Sequence, residues 1–222
     1  MFKRAQSDST ALAADDYSGS SSSSSDSDTE QQVAGVQDST SKGWKTVLIG
    51  NRGMGTNTRK LLQELNSLLP HSKKESKFEG QRKELGALLE ICELSNSDYC
   101  AYFREGRDSI FLHLASTKGH SAKYELASVF RADEHGFDGN SSKATRPLLM
   151  FSPYFFNNTE GNMHRGLLSR IFGAPLNHRK VRPYFDRIFY FFYANNGIMF
   201  RNYEIQSDFT TKEIGPRFFL IP

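Results

Sequence analysis

Residues 46–77, TVLIGNRGMGTNTRKLLQELNSLLPHSKKESK, constrain the fold more than any other stretch. Val47, Leu48 and Ile49 form a short apolar run of the buried-strand type. Gly50, Gly53 and Gly55 follow, where the chain must turn tightly. Thr56 or Asn57 is placed to cap a helix. Leu61, Leu62, Leu65, Leu68 and Leu69 then fall on one helical face. Pro70 ends that helix, and His71, Lys73, Lys74 and Lys77 come next as a basic loop. A hydrophobic frame that ends in clustered positive charge is suited to holding phosphate.

The pattern then recurs. A second helix is expected over residues 81–94, with Leu85, Leu88, Leu89 and Cys92 inside. Strands are expected at 99–104, 109–115 and 122–129, and a loop at 131–146. PLLMF at 147–151 reads as a new first strand, and residues 164–172 as a helix burying Leu167, Leu168 and Ile171. Gly173 and Pro175 stop it before a second basic stretch, NHRKVRP, which carries His178, Arg179, Lys180 and Arg182. Strands at 188–193 and 198–205 flank Asn195–Asn196–Gly197, a strong hairpin signal. The last strand, 213–221, is broken at Gly215 and Pro216 and must bend or sit at an edge there; two readings stand side by side, a bulged edge strand with Phe218 or Phe219 in the core, and a bend that presents Arg217 to a phosphate. The weak repeat of strand, leucine helix, proline, basic loop and β segments predicts an α/β fold of two similar halves with mixed sheets. The first spans about 45–130, the linker 131–145 and the second half 146–222.

Charge separates a tail from this domain. Residues 1–41 hold two basic and seven acidic side chains and a serine run at 20–25, a composition that predicts a disordered tail. Ser23, Ser25 and Ser27 each have an acid three residues downstream, as phosphorylation targets do. Residues 42–222 then hold 26 basic and 18 acidic side chains, a net charge of +8 that favours a polyanionic partner over a membrane. No apolar run reaches the ~20 residues of a membrane span, and the N-terminus has no signal-peptide core. Cys92 and Cys100 show no zinc spacing, consistent with a reducing intracellular compartment.

No motif for catalysis emerges. The glycines at 50, 53 and 55 match neither the P-loop nor the dinucleotide fingerprint, so a structural turn is preferred to a nucleotide pocket. The six histidines are scattered without metal-ligand spacing. The basic elements are better candidates. Arg52 and Arg59 flank the glycine turn; Lys73, Lys74 and Lys77 form one cluster; Arg179, Lys180 and Arg182 form another. Arg146 precedes the strand at 147, Arg201 lies in a late strand, and Arg217 follows the Gly215–Pro216 bend. Clusters at matching places in two halves could track an RNA backbone, with salt-dependent affinity. The neighbouring aromatics Phe78, Tyr184 and Phe185 are assigned to core packing rather than to base stacking.

LLPHSKKESKFE, TRPLLMF, FGAPLNHRKVRPYFDRI, FRNYEI and EIGPRFFLIP together resemble the Brix domain family, from about Lys45 to Pro222. The resemblance implies two α/β halves similar to an anticodon-binding domain. It implies a non-enzymatic, nucleolar ribosome-biogenesis factor for large-subunit precursors, without a cofactor or metal. It also implies binding to pre-ribosomal RNA and to a dedicated protein partner. By motif position it points to Arg52, Arg59, Lys73, Lys74, Arg146, Arg179, Lys180 and Arg217. GMGTNTR is more glycine-rich than the family usually shows, and family members normally continue past the point where this sequence stops. Two alternatives stay open: a Brix-family factor for small-subunit precursors, and a nucleotide-dependent enzyme using the turn at 50–55.

Overall fold

The computed structural model describes residues 43–75, 85–134, 137, 142, 144–176 and 178–222. The expectations for the tail at 1–41, for Lys77 and Phe78, and for the start of the second helix at 81–84 fall outside them.

β1 (Thr46–Gly50) is buried at all five positions. It pairs in parallel with β2 (Ser72–Lys74) on one side and β3 (Tyr99–Glu105) on the other. β1 is covered on both faces, Leu48 in one apolar cluster and Val47 and Ile49 in another, which is why VLI is continuously apolar rather than alternating. β3, β4 (Ile110–Ser116) and β5 (Ser121–Phe130) then run as an antiparallel meander. The second series begins with β6 (Pro147–Phe151), parallel to β7 (Arg187–Ala194). β7, β8 (Gly197–Ile205) and β10 (Arg217–Ile221) are antiparallel, and β9 (Thr211–Glu213) is a short partner of β8. One sheet results, in the order β2-β1-β3-β4-β5-β10-β8-β7-β6. The order β1-β3-β4-β5 is repeated as β6-β7-β8-β10, and the two runs meet antiparallel at β5 and β10.

α1 (Thr56–Leu68) and α4 (Thr159–Phe172) feed one core. Leu61, Leu62, Leu65, Leu167, Leu168 and Ile171 join Phe103, Tyr124, Phe189, Phe191, Phe200 and Phe218 there. α4 packs on β3 and β4 as well as on β6, so it ties the two series of strands together. α2 (Leu85–Leu94) covers the opposite face, where Val47, Ile49, Leu88, Cys92, Cys100 and Tyr102 make a separate buried cluster.

Several local expectations change. Neither Thr56 nor Asn57 caps α1: Gly55 holds the N-cap position, with no side-chain cap bond. Its N–H donates instead to the Glu105 carboxylate at 2.7 Å, an anion placed where a helix N-terminus favours one. Residues 72–74 of the expected basic loop form edge strand β2. The helix expected at 164–172 starts at Thr159 and is preceded by α3 (Tyr154–Asn157). The expected edge strand at 213–221 is two strands, and β10 lies inside the sheet between β5 and β8. Pro216 precedes the ladder and removes no donor from it. Phe218 is the side chain that enters the core.

Candidate nucleic-acid interface

The start of β1 meets the end of α4. The Trp44 indole N–H donates to the Arg170 carbonyl at 2.6 Å, and the Arg170 guanidinium lies 4.8 Å above the Trp44 ring. His71, just past Pro70, points inward and is 2% exposed. Its Nε2 lies 3.0 Å from the Ile171 carbonyl, an arrangement that needs a proton on Nε2. Burial is the main reason its pKa falls to about 4. The nearby His178 adds to that shift. His178 is itself lowered, first by burial and then by Lys180, Lys45 and Arg179 around it. The basic element after α1 and the basic loop after α4 therefore come together at one end of the sheet.

Arg146 belongs to the same neighbourhood. Its guanidinium donates to the Leu176 carbonyl at 2.8 Å and lies 5.9 Å from the centre of the Phe185 ring. Arg182 donates to the Tyr184 hydroxyl at 2.9 Å, and its backbone N–H donates to the Ala144 carbonyl. Tyr184 and Phe185 are 44% and 47% exposed, so their assignment to the core is corrected. The polar ends of Arg146 and Arg182 hold them at the surface. Arg179 and Lys180 are exposed, and Lys73 and Lys74 are exposed on β2, where Lys73 pairs with Glu75.

A groove of 810 Å³ opens beside this neighbourhood, between α4 and the β4–β5 hairpin. Tyr99, Lys118, His120, Met163, Leu167 and Arg170 are among the residues that line it. Lys45, Lys118 and Arg170 were not singled out in the sequence. The approach of α4 to β3 and β4 brings Lys118 and Arg170 to one groove, and Lys45 lies near His178.

The other candidates lie elsewhere. Arg52 sits in the turn at the far end of β1, about 16 Å along a five-residue strand from Thr46. Arg59 is in the first turns of α1 and donates to the Met54 carbonyl at 2.9 Å. Arg201 and Arg217 share one carboxylate, Glu213, at 3.6 and 3.8 Å on the sheet face away from α1 and α4. Lys77 lies outside the described residues. Among the described residues no group of three or more His, Cys, Asp and Glu is arranged to hold a metal. Glu105 already supplies an anion at the N-terminus of α1, beside the turn at 50–55.

The fold is a mixed α/β scaffold with a groove lined in part by Lys118, Lys123 and Arg170 and with basic loops near one end. The Brix domain model matches residues 51–222, and the chain belongs to the Brix domain family. It is 38% identical over 189 residues to the "Ribosome biogenesis protein BRX1 homolog" of Xenopus laevis, covering 83% of this chain and 56% of that protein. The Homo sapiens protein of the same description is 34% identical over 199 residues, covering 86% and 56%. The chain thus spans about half the length of the curated relatives it matches. Its fold is similar to that of a crystal structure described as a probable ribosomal biogenesis protein from Aeropyrum pernix K1. The TM-score is 0.55 at 12% identity, covering 81% of this chain and 97% of that one.

Proposed function

We propose that this chain is a ribosome-biogenesis factor that holds large-subunit pre-ribosomal RNA, together with a protein partner, in the nucleolus. It acts by positioning, with no bond made or broken. Residues 42–222 work as one unit of two halves, and the RNA lies where the halves meet. The names of the relatives support the general role. The observation that carries the RNA reading is the junction of His71 with Ile171. It joins the element that carries Lys73 and Lys74 to the end of α4, and His71 lies near His178, around which Lys45, Arg179 and Lys180 gather, next to a groove lined by Lys118 and Arg170; this supports a shared phosphate-binding surface. Phosphate contacts fix register and orientation on a folded RNA, and the exposed Tyr184 and Phe185 add surfaces for unstacked bases.

Arg146 and Arg182 contribute by orienting those aromatics. Arg52 and Arg59 extend the contact only where an RNA is long enough to reach the far end of β1. Arg201 and Arg217 are left out, because Glu213 already compensates them in part.

The test is affinity for a large-subunit pre-ribosomal transcript, read by fluorescence anisotropy across a salt series. Log affinity should fall linearly with log salt, because each neutralised phosphate releases counterions. Lys73→Glu with Lys74→Glu, and separately Arg179→Glu with Lys180→Glu, should each weaken binding at least about tenfold. Each pair should also flatten the salt slope by about one for every phosphate that is no longer neutralised. Unchanged affinity in both pairs overturns the assignment. Calorimetry with ATP and GTP should show no binding.

A further inference from the structure

The groove between α4 and the β4–β5 hairpin combines an apolar floor with separate positive charges. The floor belongs to the core: Tyr99 and Ala122 are partly buried and packed against it, and Leu167 is part of it. Met163, one helical turn before Leu167, stands 69% exposed at the groove. Lys118 and Arg170 bring the charge. The Arg170 guanidinium is seated over the Trp44 ring. Lys118 lies in the hairpin turn, where its backbone N–H donates to the Ser116 hydroxyl at 3.2 Å. Among the described residues neither cation pairs with a carboxylate, unlike Arg201 and Arg217. The volume of 810 Å³ falls in the range of pockets that enclose a small organic group.

Two details go beyond a charged surface. His164 lines the groove, and the Tyr124 hydroxyl lies 2.6 Å from its Nδ1. With the phenol donating, the ring proton sits on Nε2. That Nε2 is buried without a hydrogen-bond partner, and Glu160 Oε1 stands 3.6 Å away on a largely exposed side chain. A buried donor left unpaired is costly, and a bound acceptor removes the cost. The second detail is Gly166, in the middle of α4, where glycine weakens a helix relative to alanine. A Cβ added there would meet nothing within 4 Å, so packing within the protein does not require the glycine. It lines the groove, and its missing side chain keeps that stretch of the groove open.

We infer that the groove takes the base of a single unpaired nucleotide of the bound RNA. An apolar floor, a lone hydrogen-bond donor and two flanking cations together fit a group with apolar faces, a polar edge and phosphates on either side. A phosphate alone makes no use of Tyr99, Met163 and Leu167, and an apolar peptide makes no use of Lys118 and Arg170. A base in a helix is stacked between its neighbours, so only one turned out of the stack can enter. Its faces lie against Tyr99, Met163 and Leu167, an acceptor on its edge receives the His164 Nε2 proton, and the flanking phosphates meet Lys118 and Arg170. This rests on the RNA half of the proposed function and names what the groove itself reads.

The test compares three RNA hairpins binding the full chain, read by fluorescence anisotropy: one with a single bulged adenosine, the same hairpin with an abasic bulge, and the same hairpin fully paired. The bulged adenosine should bind at least about fivefold tighter than either control, the low end of what one stacked base contributes. Gly166→Leu puts a side chain into the open stretch and should erase that preference. It should leave affinity for the paired hairpin within about twofold and should not lower the melting temperature, because leucine favours a helix over glycine. Met163→Glu, at an exposed position, should erase the preference as well, so the result does not depend on one variant. Equal affinity for the three hairpins overturns the inference, and so does a preference that survives either substitution. The RNA reading is tested separately. If the Lys73/Lys74 and Arg179/Lys180 pairs weaken binding while the three hairpins bind alike, this inference fails and that reading stands.

Discussion

His71 links stability to pH. Its folded pKa of about 4 lies below the ordinary 6.5, so the unfolded chain takes up a proton on acidification before the folded chain does. The stability this residue contributes is complete above pH 6.5 and is lost as pH falls toward 4, on the order of 3 kcal/mol in all. Denaturant titrations from pH 7 to 4 should show that loss. His71→Ala should be less stable at pH 7 and show a shallower dependence below 6.5. An unchanged dependence in the variant would show that the slope comes from other groups, His113 and His178 being lowered too. Gly55 gives a second residue-scale test. Its N–H is held by Glu105, so Glu105→Ala should cost about 1 kcal/mol, the usual scale for losing a helix cap, measurable by thermal denaturation.

At the scale of elements, the paired first strands make an internal control. Val47→Ala empties space under α2 and should cost about 1–2 kcal/mol, while Leu148→Ala, at an exposed position, should stay within about 0.5 kcal/mol. Equal losses would mean that the outer face of β6 is covered in the free protein. The same pair shows what a sequence can and cannot reveal. TVLIG and PLLMF both read as buried strands, and both are strands, but apolar runs do not say whether a helix arrives to cover them. β10 is a similar case. Gly215 and Pro216 suggest an edge, and only the long-range pairing of Phe218 with Phe200 and of Leu220 with Leu126 shows that the strand is central. Tyr184 and Phe185 read as core because most aromatics here are; their exposure follows from local contacts with Arg182 and Arg146 that spacing does not encode.

For the whole molecule, the order of elements was readable from periodicity and turn residues, and the resemblance to the Brix family from the combined motifs around PHSKKE and GPRF. The site was only partly readable. The basic clusters after Pro70 and Pro175 are visible as charge runs, and the fold brings their neighbours together through His71 and Ile171. Lys118 and Arg170 are far apart in sequence and come to line one groove only when α4 lies over β3 and β4. Arg201 and Arg217 look like free cations in a sequence, because their partner Glu213 belongs to a different strand from either of them. The most direct test of the account is residue-level mapping of protein–RNA crosslinks in cells. It predicts crosslinks from both Lys73–Lys74 and Arg179–Lys180 to nucleotides of one contiguous RNA segment. Crosslinks confined to Arg52 and Arg59 at the opposite end of β1, or from one basic cluster alone, would contradict it.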